Sequence, residues 1–332
     1  MKGRLKKFLI ISFVFTFCFM GVTGLGFGAD PKFIKIAGSS LTGTWFRICA
    51  ATAEILNQNV KNVIFTATLG SGLGNIKRVD SGQLYMGLTM TSSGQLAYTG
   101  QPPFDKKYAG FRALLTVYVN PYELVVPANS DIQSVKDLVG KSFSPGMIGW
   151  STELFSKTLL NAYGLSYEDI QKGGGKVHHV RWDETVKLMK DRRLDAAMFA
   201  TPDPVPQIMD INTVMPIRII QVEKSVMDTI IQQYPALVTL KTPGGTYKGQ
   251  PDDIFNIADG VMMLIREEVS DDLAYNITKA IYDNTKTLGT VHPALKGLDP
   301  KRGLEGIDVP IHAGAVKYYE EQGIKISDAL KK

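Results

Sequence analysis

Three segments of the sequence combine glycine with serine or threonine just before a predicted helix: residues 38–44, 70–74 and 149–152. The first amides of a helix lack partners within the helix, and the macrodipole is positive at that end. A carboxylate or phosphate binds well in such a place. The sequence therefore predicts an anion site that includes Ser40, Thr44, Ser71 and Ser151. Helix capping alone is the alternative explanation for each segment.

Aromatic side chains and one carboxylate stand close to these segments. Trp45, Trp150 and Tyr122 can each form an apolar wall against the carbon chain of a ligand. Core packing is the alternative for all aromatic residues, and it is the interpretation that we favour for Trp182. Asp203 lies between two prolines directly after a predicted strand, where ligands of open α/β sheets bind. We therefore include it among the candidate ligand-binding residues.

Motifs of catalysis and of metal binding are weak. The glycines of residues 70–74 lack the spacing of the dinucleotide fingerprint, and residues 149–153 lack the final glycine of a nucleophile elbow. Cys49 lies on the apolar face of a predicted helix and is interpreted as a core residue. His178 and His179 are adjacent, which is not the spacing of a helical metal pair. The sequence therefore predicts a binding protein with no catalytic residue, metal or cofactor.

The elements that position these segments alternate between strand and helix. Apolar runs at 33–37, 63–68 and 84–89 predict strands, and the first two each precede a helical pattern. This alternation predicts an α/β fold with crossover helices. Pro121 separates two apolar runs and interrupts a continuous ladder, as a crossing between lobes requires. Further strands are predicted at 112–118, 123–126, 141–144, 196–200, 217–222 and 261–265, and further helices at 152–163, 183–192 and 271–288.

The N-terminus has the order of a secretory signal peptide. Four basic residues within positions 2–7 precede an apolar run that ends near Val22, and small residues lead to Ala29. The predicted cleavage site lies between Gly28 and Asp30. An uncleaved membrane anchor is the alternative, because the run is near the lower length limit for a span. The signal peptide predicts a periplasmic protein.

The charge of the chain depends strongly on this leader. The sequence has 37 basic and 32 acidic residues, a balance of +5. Removing the four bases of residues 1–29 leaves 33 against 32, a balance of +1. This balance does not indicate nucleic acid or an anionic membrane surface as a partner. Cys49 alone remains, so no internal disulfide can form, and about 300 residues are enough for two lobes.

Several segments together resemble the TAXI class of solute receptors for tripartite ATP-independent periplasmic (TRAP) transporters. The resemblance covers nearly the whole chain after the leader. Residues 243–250 (PGGTYKGQ) are similar to the family's PAGTYPGQ, and residues 310–319 (PIHAGAVKYY) to its PLHPGAxxYY. Residues 43–46 (GTWF), 68–71 (TLGS) and 82–88 (GQLYMGL) resemble its GTYY, TGGS and GEADLGL.

The resemblance implies a type II periplasmic-binding-protein fold, in which two α/β lobes close on a ligand about a hinge. It implies small carboxylate ligands such as glutamate or 2-oxoglutarate, and TRAP membrane permease subunits as partners. With the leader at 1–29, we assign 30–120 to the first part of lobe I, 121–223 to lobe II, and 224–332 to the return to lobe I and the C-terminal helices. The hinge is expected at 118–122, with a return crossing within about 223–260.

The family pattern also implies which residues line the pocket. Met90 and Ser92 stand where relatives often have Gln and Asp, and residues 145–151 form a longer loop, so the ligand can differ from theirs. His312 and Tyr319 match the family pattern and are interpreted as scaffold. The residues carried over to the pocket are Thr44, Trp45, Ser71, Thr91, Ser151 and Thr201.

Two other functions remain compatible with the sequence. A receptor of this kind can present its ligand to a membrane kinase without any transport, and the sequence does not separate the two roles. An enzyme on the same two-lobed scaffold would need a nucleophile or an acid–base pair at the cleft, which no motif supports.

Overall fold

The computed structural model describes residues 30–39, 41 and 44–331. The predicted signal peptide and the candidate ligand residue Ser40 therefore lie outside the described residues. The strands, in chain order, are β1 (Phe33–Ala37), β2 (Ile64–Thr68), β3 (Met86–Met90), β4 (Phe111–Pro121), β5 (Glu123–Pro127), β6 (Ser142–Ser144), β7 (Lys176–Val177), β8 (Ala196–Phe199), β9 (Ile217–Ile219), β10 (Leu237–Thr242) and β11 (Ile254–Arg266).

The helices lie between these strands and after the last of them. Short 3-10 turns occupy Val135–Leu138, Pro293–Gly297 and Asp328–Lys331. The α-helices are α1 (Thr44–Asn59), α2 (Gly72–Asp80), α3 (Thr91–Thr99), α4 (Ser151–Ala162), α5 (Tyr167–Lys172), α6 (Trp182–Lys190), α7 (Pro206–Val214), α8 (Lys224–Gln233), α9 (Asp271–Asp283), α10 (Thr285–Val291) and α11 (Ala313–Glu321).

The strands form two separate sheets. The first has the order β10-β11-β3-β1-β2, with β4 paired to β11, and the second has the order β7-β6-β8-β5-β9. We call each sheet with its helices the first and the second lobe. The chain passes from one to the other at Tyr122, since β4 ends at Pro121 and β5 begins at Glu123. It returns between β9 and β10 by way of α8.

Each lobe has its own apolar core. One cluster of buried side chains joins β1–β4 and the second half of β11 to α1, α9 and α11. Two further clusters lie in the second lobe. Helix α1 illustrates how the sequence directs this packing, because its buried residues Ile48, Thr52, Ile55 and Leu56 recur at helical spacing. The β10–β11 hairpin breaks the separation, because its residues Tyr247 and Ile254 pack in a core of the second lobe.

Three predicted elements differ from the structure. The helix predicted over 271–288 is divided at Asn284 into α9 and α10. The strand predicted at 217–222 stops at Ile219, after which the Gln221 side chain bonds the backbone of Phe255 instead. The strand predicted at 261–265 begins earlier, at Ile254, because its first half pairs with β10. The polar residues Asn256 and Asp259 interrupt the apolar pattern, so the sequence does not predict this extension.

Candidate functional site

The loops that carry the predicted site residues meet along two edges. Strands β1, β2 and β3 run parallel, so the loops after their carboxyl ends share one edge of the first sheet. Strands β6 and β8 are parallel in the second sheet, and their following loops share an edge as well. Residues of both lobes meet where the chain crosses between the sheets, at Tyr122 and Asp259.

Asp259 organises this crossing from the buried part of β11. Its Oδ1 accepts hydrogen bonds from the hydroxyl of Thr91 (2.8 Å) and the amide of Ser92 (3.1 Å). Its Oδ2 accepts from the Tyr122 hydroxyl (3.0 Å) and from the Ser92 hydroxyl. Burial raises the pKa of Asp259, and these donors act in the opposite direction. The carboxylate therefore occupies the N-terminus of α3, where an external anion would otherwise bind.

The second lobe reaches the same point through α4. Burial and the neighbouring Asp259 raise the pKa of Tyr122 well above its usual range, and the hydroxyl of Ser151, the first residue of α4, acts in the opposite direction. The Tyr122 ring stacks on Phe155 of α4, with ring centroids 3.9 Å apart. The structure thus brings Thr91, Ser92 and Ser151 together around one tyrosine and one aspartate.

Trp45 and Ser71 belong to the first lobe, at the starts of α1 and α2. The indole Nε1 of Trp45 donates to the Tyr118 hydroxyl (3.0 Å), which fixes the ring. The other end of the indole lies against Gly72, the first residue of α2, and Ser71 precedes it as the N-cap without a side-chain capping bond. Thr44 begins α1, and its hydroxyl accepts from Arg47 at 3.4 Å.

The remaining predicted residues lie in the second lobe. Trp150 packs edge-on against Trp182 with centroids 5.2 Å apart, and Trp182 in turn packs against Phe199. Thr201 follows β8 and has a buried hydroxyl with no partner among the described residues. Asp203 lies two residues further on and belongs to a second buried cluster of carboxylates.

The second cluster is centred on Tyr247, in the hairpin turn that resembles the family motif. The Tyr247 hydroxyl lies 2.8 Å from Glu123 Oε2 and 3.0 Å from Asp203 Oδ1, and it accepts the amide of Val205 (3.0 Å). A phenol can donate only one hydrogen bond, so both carboxyls cannot be ionised acceptors of it. Burial and the neighbouring Asp203 charge raise the pKa of Glu123 well above its usual range. We assign the proton to Glu123, which donates to Tyr247, while Tyr247 donates to Asp203.

This assignment predicts a pH-dependent stability. Above about pH 4.5 the unfolded chain has released the Glu123 proton, but the folded protein retains it, so the stability of the wild type falls as pH rises. The slope is about 1.4 kcal/mol per pH unit until the raised pKa is reached. Glu123→Gln keeps a donor for Tyr247 and does not titrate. It is expected to flatten this dependence and to be more stable than the wild type at about pH 8.

Urea unfolding between about pH 5 and pH 8 measures both slopes. Glu184→Gln, at an exposed position in the first turn of α6, is the matched control and is expected to leave the slope unchanged. Equal slopes for the wild type and for Glu123→Gln would place the proton elsewhere.

A cavity of about 180 Å³ lies between β4 and the loop after β8. Tyr118 and Asp203 line it from the two lobes, and Asp299, Arg302 and Glu305 line it from the C-terminal part of the chain. Arg302 is engaged by Glu305, with Nε 2.8 Å from Oε1. The lining therefore has three carboxyl groups, those of Asp203, Asp299 and Glu305, against the single guanidinium of Arg302. This side of the cleft suits a ligand group that donates hydrogen bonds, such as an ammonium group.

Sequence reasoning missed Asp259 and Glu123 as members of the site. Each stands inside an apolar run that forms a buried strand, and neither belongs to a recognised motif. An acidic residue within such a run is itself a signal, because a buried carboxyl needs partners. The motif residues His312 and Tyr319 are buried scaffold: His312 bonds the carbonyl of Val269 (2.9 Å), and the Tyr319 hydroxyl bonds that of Tyr282 (2.8 Å).

The structure also places the cysteine that the sequence analysis interpreted as a core residue. Cys49 is buried in the first lobe, and burial raises the pKa of its thiol to about 12. Within residues 30–39, 41 and 44–331, no three His, Cys, Asp or Glu side chains are arranged to hold a metal ion. No helix in that part of the chain combines the length and the apolar character needed to cross a membrane.

Two α/β lobes with a double crossing and a cleft between strand ends constitute the type II periplasmic-binding-protein fold, which confirms the predicted fold class. The chain belongs to the NMT1-like family, whose family model matches residues 36–323. XAC2383 from Xanthomonas citri, solved with bound ATP, shares the fold with a TM-score of 0.52 at 11% identity, covering 87% of this chain and 99% of that chain.

Two other solved proteins have a lower structural similarity to this chain. The periplasmic aliphatic sulphonate binding protein SsuA from Escherichia coli has a TM-score of 0.49 at 12% identity, covering 91% of each chain. The GluR0 ligand-binding core from Nostoc punctiforme, in complex with L-glutamate, has a TM-score of 0.46 at 13% identity, covering 79% of this chain and 97% of that chain.

Proposed function

We propose that this protein is an extracytoplasmic solute-binding protein that captures a small organic anion between its lobes and delivers it to a TRAP-type permease. The proposed ligand contacts are the residues predicted from the sequence: Ser40, Thr44, Trp45, Ser71, Thr91, Ser92, Trp150, Ser151, Thr201 and Asp203. The predicted leader supports a periplasmic location, and the similarity of residues 243–250 and 310–319 to the TAXI pattern supports the TRAP-type partner.

The observation that carries the proposal is the meeting of the two lobes at Tyr122. Helix α3 of the first lobe contacts Tyr122 through Asp259, and α4 of the second lobe contacts it through Phe155. A ligand at this point touches both lobes. Its extra contacts in the closed arrangement favour that arrangement, which a permease can then recognise.

The charges around the cleft favour one type of anion. The carboxylate of Asp203 is held by Thr242 (2.5 Å) and Tyr247, and it faces the cavity between the lobes. A fixed carboxylate attracts an ammonium group and repels an acidic one. An acidic amino acid such as L-glutamate therefore fits better than 2-oxoglutarate, which has a ketone in place of the amine.

A thermal-shift screen of the mature chain against L-glutamate, L-aspartate, 2-oxoglutarate and succinate tests this function. A ligand at about one hundred times its Kd is expected to stabilise the folded protein by about 2.7 kcal/mol. We expect the amino acids to give larger shifts than the two diacids without an amine. The protein must first be unfolded and refolded to remove any ligand that co-purifies with it.

Serine variants test where such a ligand binds. Ser71→Ala and Ser151→Ala are each expected to weaken binding by about tenfold, the loss of one hydrogen bond to a charged group. Ser81→Ala is the matched control, because Ser81 is exposed at the opposite end of α2. If both cleft variants bind as tightly as the control, the pocket assignment is wrong. If no member of the panel shifts the wild type, a small carboxylate is not the ligand.

A further inference from the structure

The N-terminus of α2 lies at the cleft edge of the first sheet and has no acidic residue in its first turn, unlike the anion-occupied starts of α3 and α4. Helix α3 is occupied by Asp259, whose Oδ1 accepts the amide of Ser92. Helix α4 carries Glu153 in its first turn, buried and paired with Lys157 at 2.7 Å. Helix α2 has no acidic residue in its first turn. The amide of the N-cap Ser71 is bonded to Asn75 Oδ1 (3.2 Å), so the amides of the first turn that follow it are the ones that can bind an anion from outside.

A buried hydroxyl beside this helix end has no hydrogen-bond partner among the described residues. The side chain of Thr89, on β3, is 0% exposed, and its Oγ1 has no hydrogen-bond partner among the described residues. It lies 3.7 Å from the point where a Cβ on Gly72 would stand. A buried hydroxyl without a partner is costly, so it normally marks a place that something else fills.

The same point is bounded by an aromatic ring. Two carbons of the Trp45 indole lie 3.6 Å from the position of a Gly72 Cβ. The ring cannot swing freely, because its Nε1 is bonded to the Tyr118 hydroxyl. A Cβ at position 72 would be in ordinary van der Waals contact with both the indole and the Thr89 hydroxyl, so glycine leaves room there for about one atom of a ligand that approaches the helix end. Helix α4 has a comparable hydroxyl in Thr152, but Glu153 in the same turn disfavours an anion there.

We propose that the first turn of α2, the Thr89 hydroxyl and the Trp45 indole form the subsite for the carboxylate of the ligand. This inference rests on the proposed function and specifies one end of that site. The amides that begin α2 and the Thr89 hydroxyl donate to the carboxylate oxygens, and the indole packs against the carbon that bears them. The amine of an amino acid is left to face Asp203.

Thr89→Val separates this role from a structural one. Valine has nearly the same shape, and no described group bonds the hydroxyl that it removes, so stability should be unchanged or slightly higher. Affinity for the carboxylate should fall by about tenfold to a hundredfold, the effect of losing a hydrogen bond to a charged group. If Thr89 had only a structural role, its replacement would lower stability. A loss of affinity without a loss of stability therefore indicates a role in binding.

The experiment is calorimetric titration of the mature wild type, Thr89→Val and Thr89→Ser with whichever of L-glutamate, L-aspartate, 2-oxoglutarate and succinate binds the wild type most tightly. Thr89→Ser keeps the hydroxyl and should bind within about threefold of the wild type. Thr278→Val is the matched control, since Thr278 is equally buried in the same lobe but bonds the Ala274 carbonyl (2.8 Å). It should lose stability and keep affinity.

The possible outcomes separate the subsite from the function. If the wild type binds a panel member and Thr89→Val binds it equally well, the subsite is wrong and the receptor function stands. If Thr89→Val loses stability as Thr278→Val does, the hydroxyl has an internal role and the subsite is also wrong. If no panel member binds the wild type, the proposed function fails and the subsite fails with it.

Discussion

Asp259→Ala is expected to lower the free energy of unfolding by about 3 kcal/mol or more, because it leaves several buried donors unsatisfied at a cost of about 1–3 kcal/mol each. The substitution leaves the hydroxyls of Ser92 and Tyr122 and the amide of Ser92 without their acceptor, whereas the Thr91 hydroxyl can still donate to the Ala236 carbonyl (3.1 Å). All of these donors lie around the crossing between the lobes, where Asp259 is completely buried. Urea denaturation of the mature chain measures the loss.

Two variants control this prediction. Asp259→Asn keeps the size of the side chain and one acceptor oxygen, so its loss should be smaller than that of alanine. Asp252→Ala changes an exposed aspartate near the hairpin turn and is expected to cost within about 0.5 kcal/mol. A loss below about 1 kcal/mol for Asp259→Ala would mean that the donors find other partners, and that Asp259 does not hold the crossing.

Gly314→Ala is expected to destabilise the first lobe by about 3 kcal/mol or more, or to prevent folding. Gly314 is the second residue of α11 and is buried. A Cβ at this position would stand 2.0 Å from the backbone oxygen of Asp271 and 2.7 Å from the amide of Tyr275. Both atoms are backbone of α9, so they cannot rotate away, and the two helices would have to separate.

Gly297→Ala is the control for Gly314→Ala. Its Cβ would meet only the end of the Arg302 side chain, at 3.6 Å, which is ordinary contact. The comparison by urea denaturation should therefore show a small effect at 297 and a large one at 314. Similar stabilities of the two variants would show that α9 and α11 adjust to each other more easily than their close approach indicates.

Local patterns in the sequence were sufficient to predict most elements of the fold. The strand predicted at 33–37 is β1, and the helix predicted at 152–163 differs from α4 by one residue at each end. Both follow from hydrophobic periodicity and from glycine or serine at the boundaries. The boundaries of β11 were not predictable in this way, because its first half owes its strand form to pairing with β10.

The candidate site was predictable only in its loops. Serine and threonine residues before helices can be recognised in the sequence because these residue types cap helices. Asp259 and Glu123, in contrast, form hydrogen bonds with residues that are distant in sequence. Asp259 lies 168 positions from Thr91, and Glu123 lies 124 from Tyr247. No spacing rule connects such pairs. Asp203 was identified because prolines flank it directly after a strand. The hydrogen bond from Tyr247 that holds it could not be predicted from the sequence.

The order of the strands also constrains how the chain acquires its structure. The sheet of the second lobe is built from one continuous stretch, β5 to β9, although later residues such as Tyr247 and Ile254 complete its core. The first sheet is not continuous in this way, because β3 and β4 are joined only through β11, which is the last strand of the chain. Until β11 arrives, β4 has no neighbour in its sheet, and closing such a distant pairing is slow. We therefore expect the edges of the early strands to stay unpaired until β11 is available, and a chain that lacks β11 to be more open to aggregation and to capture by chaperones.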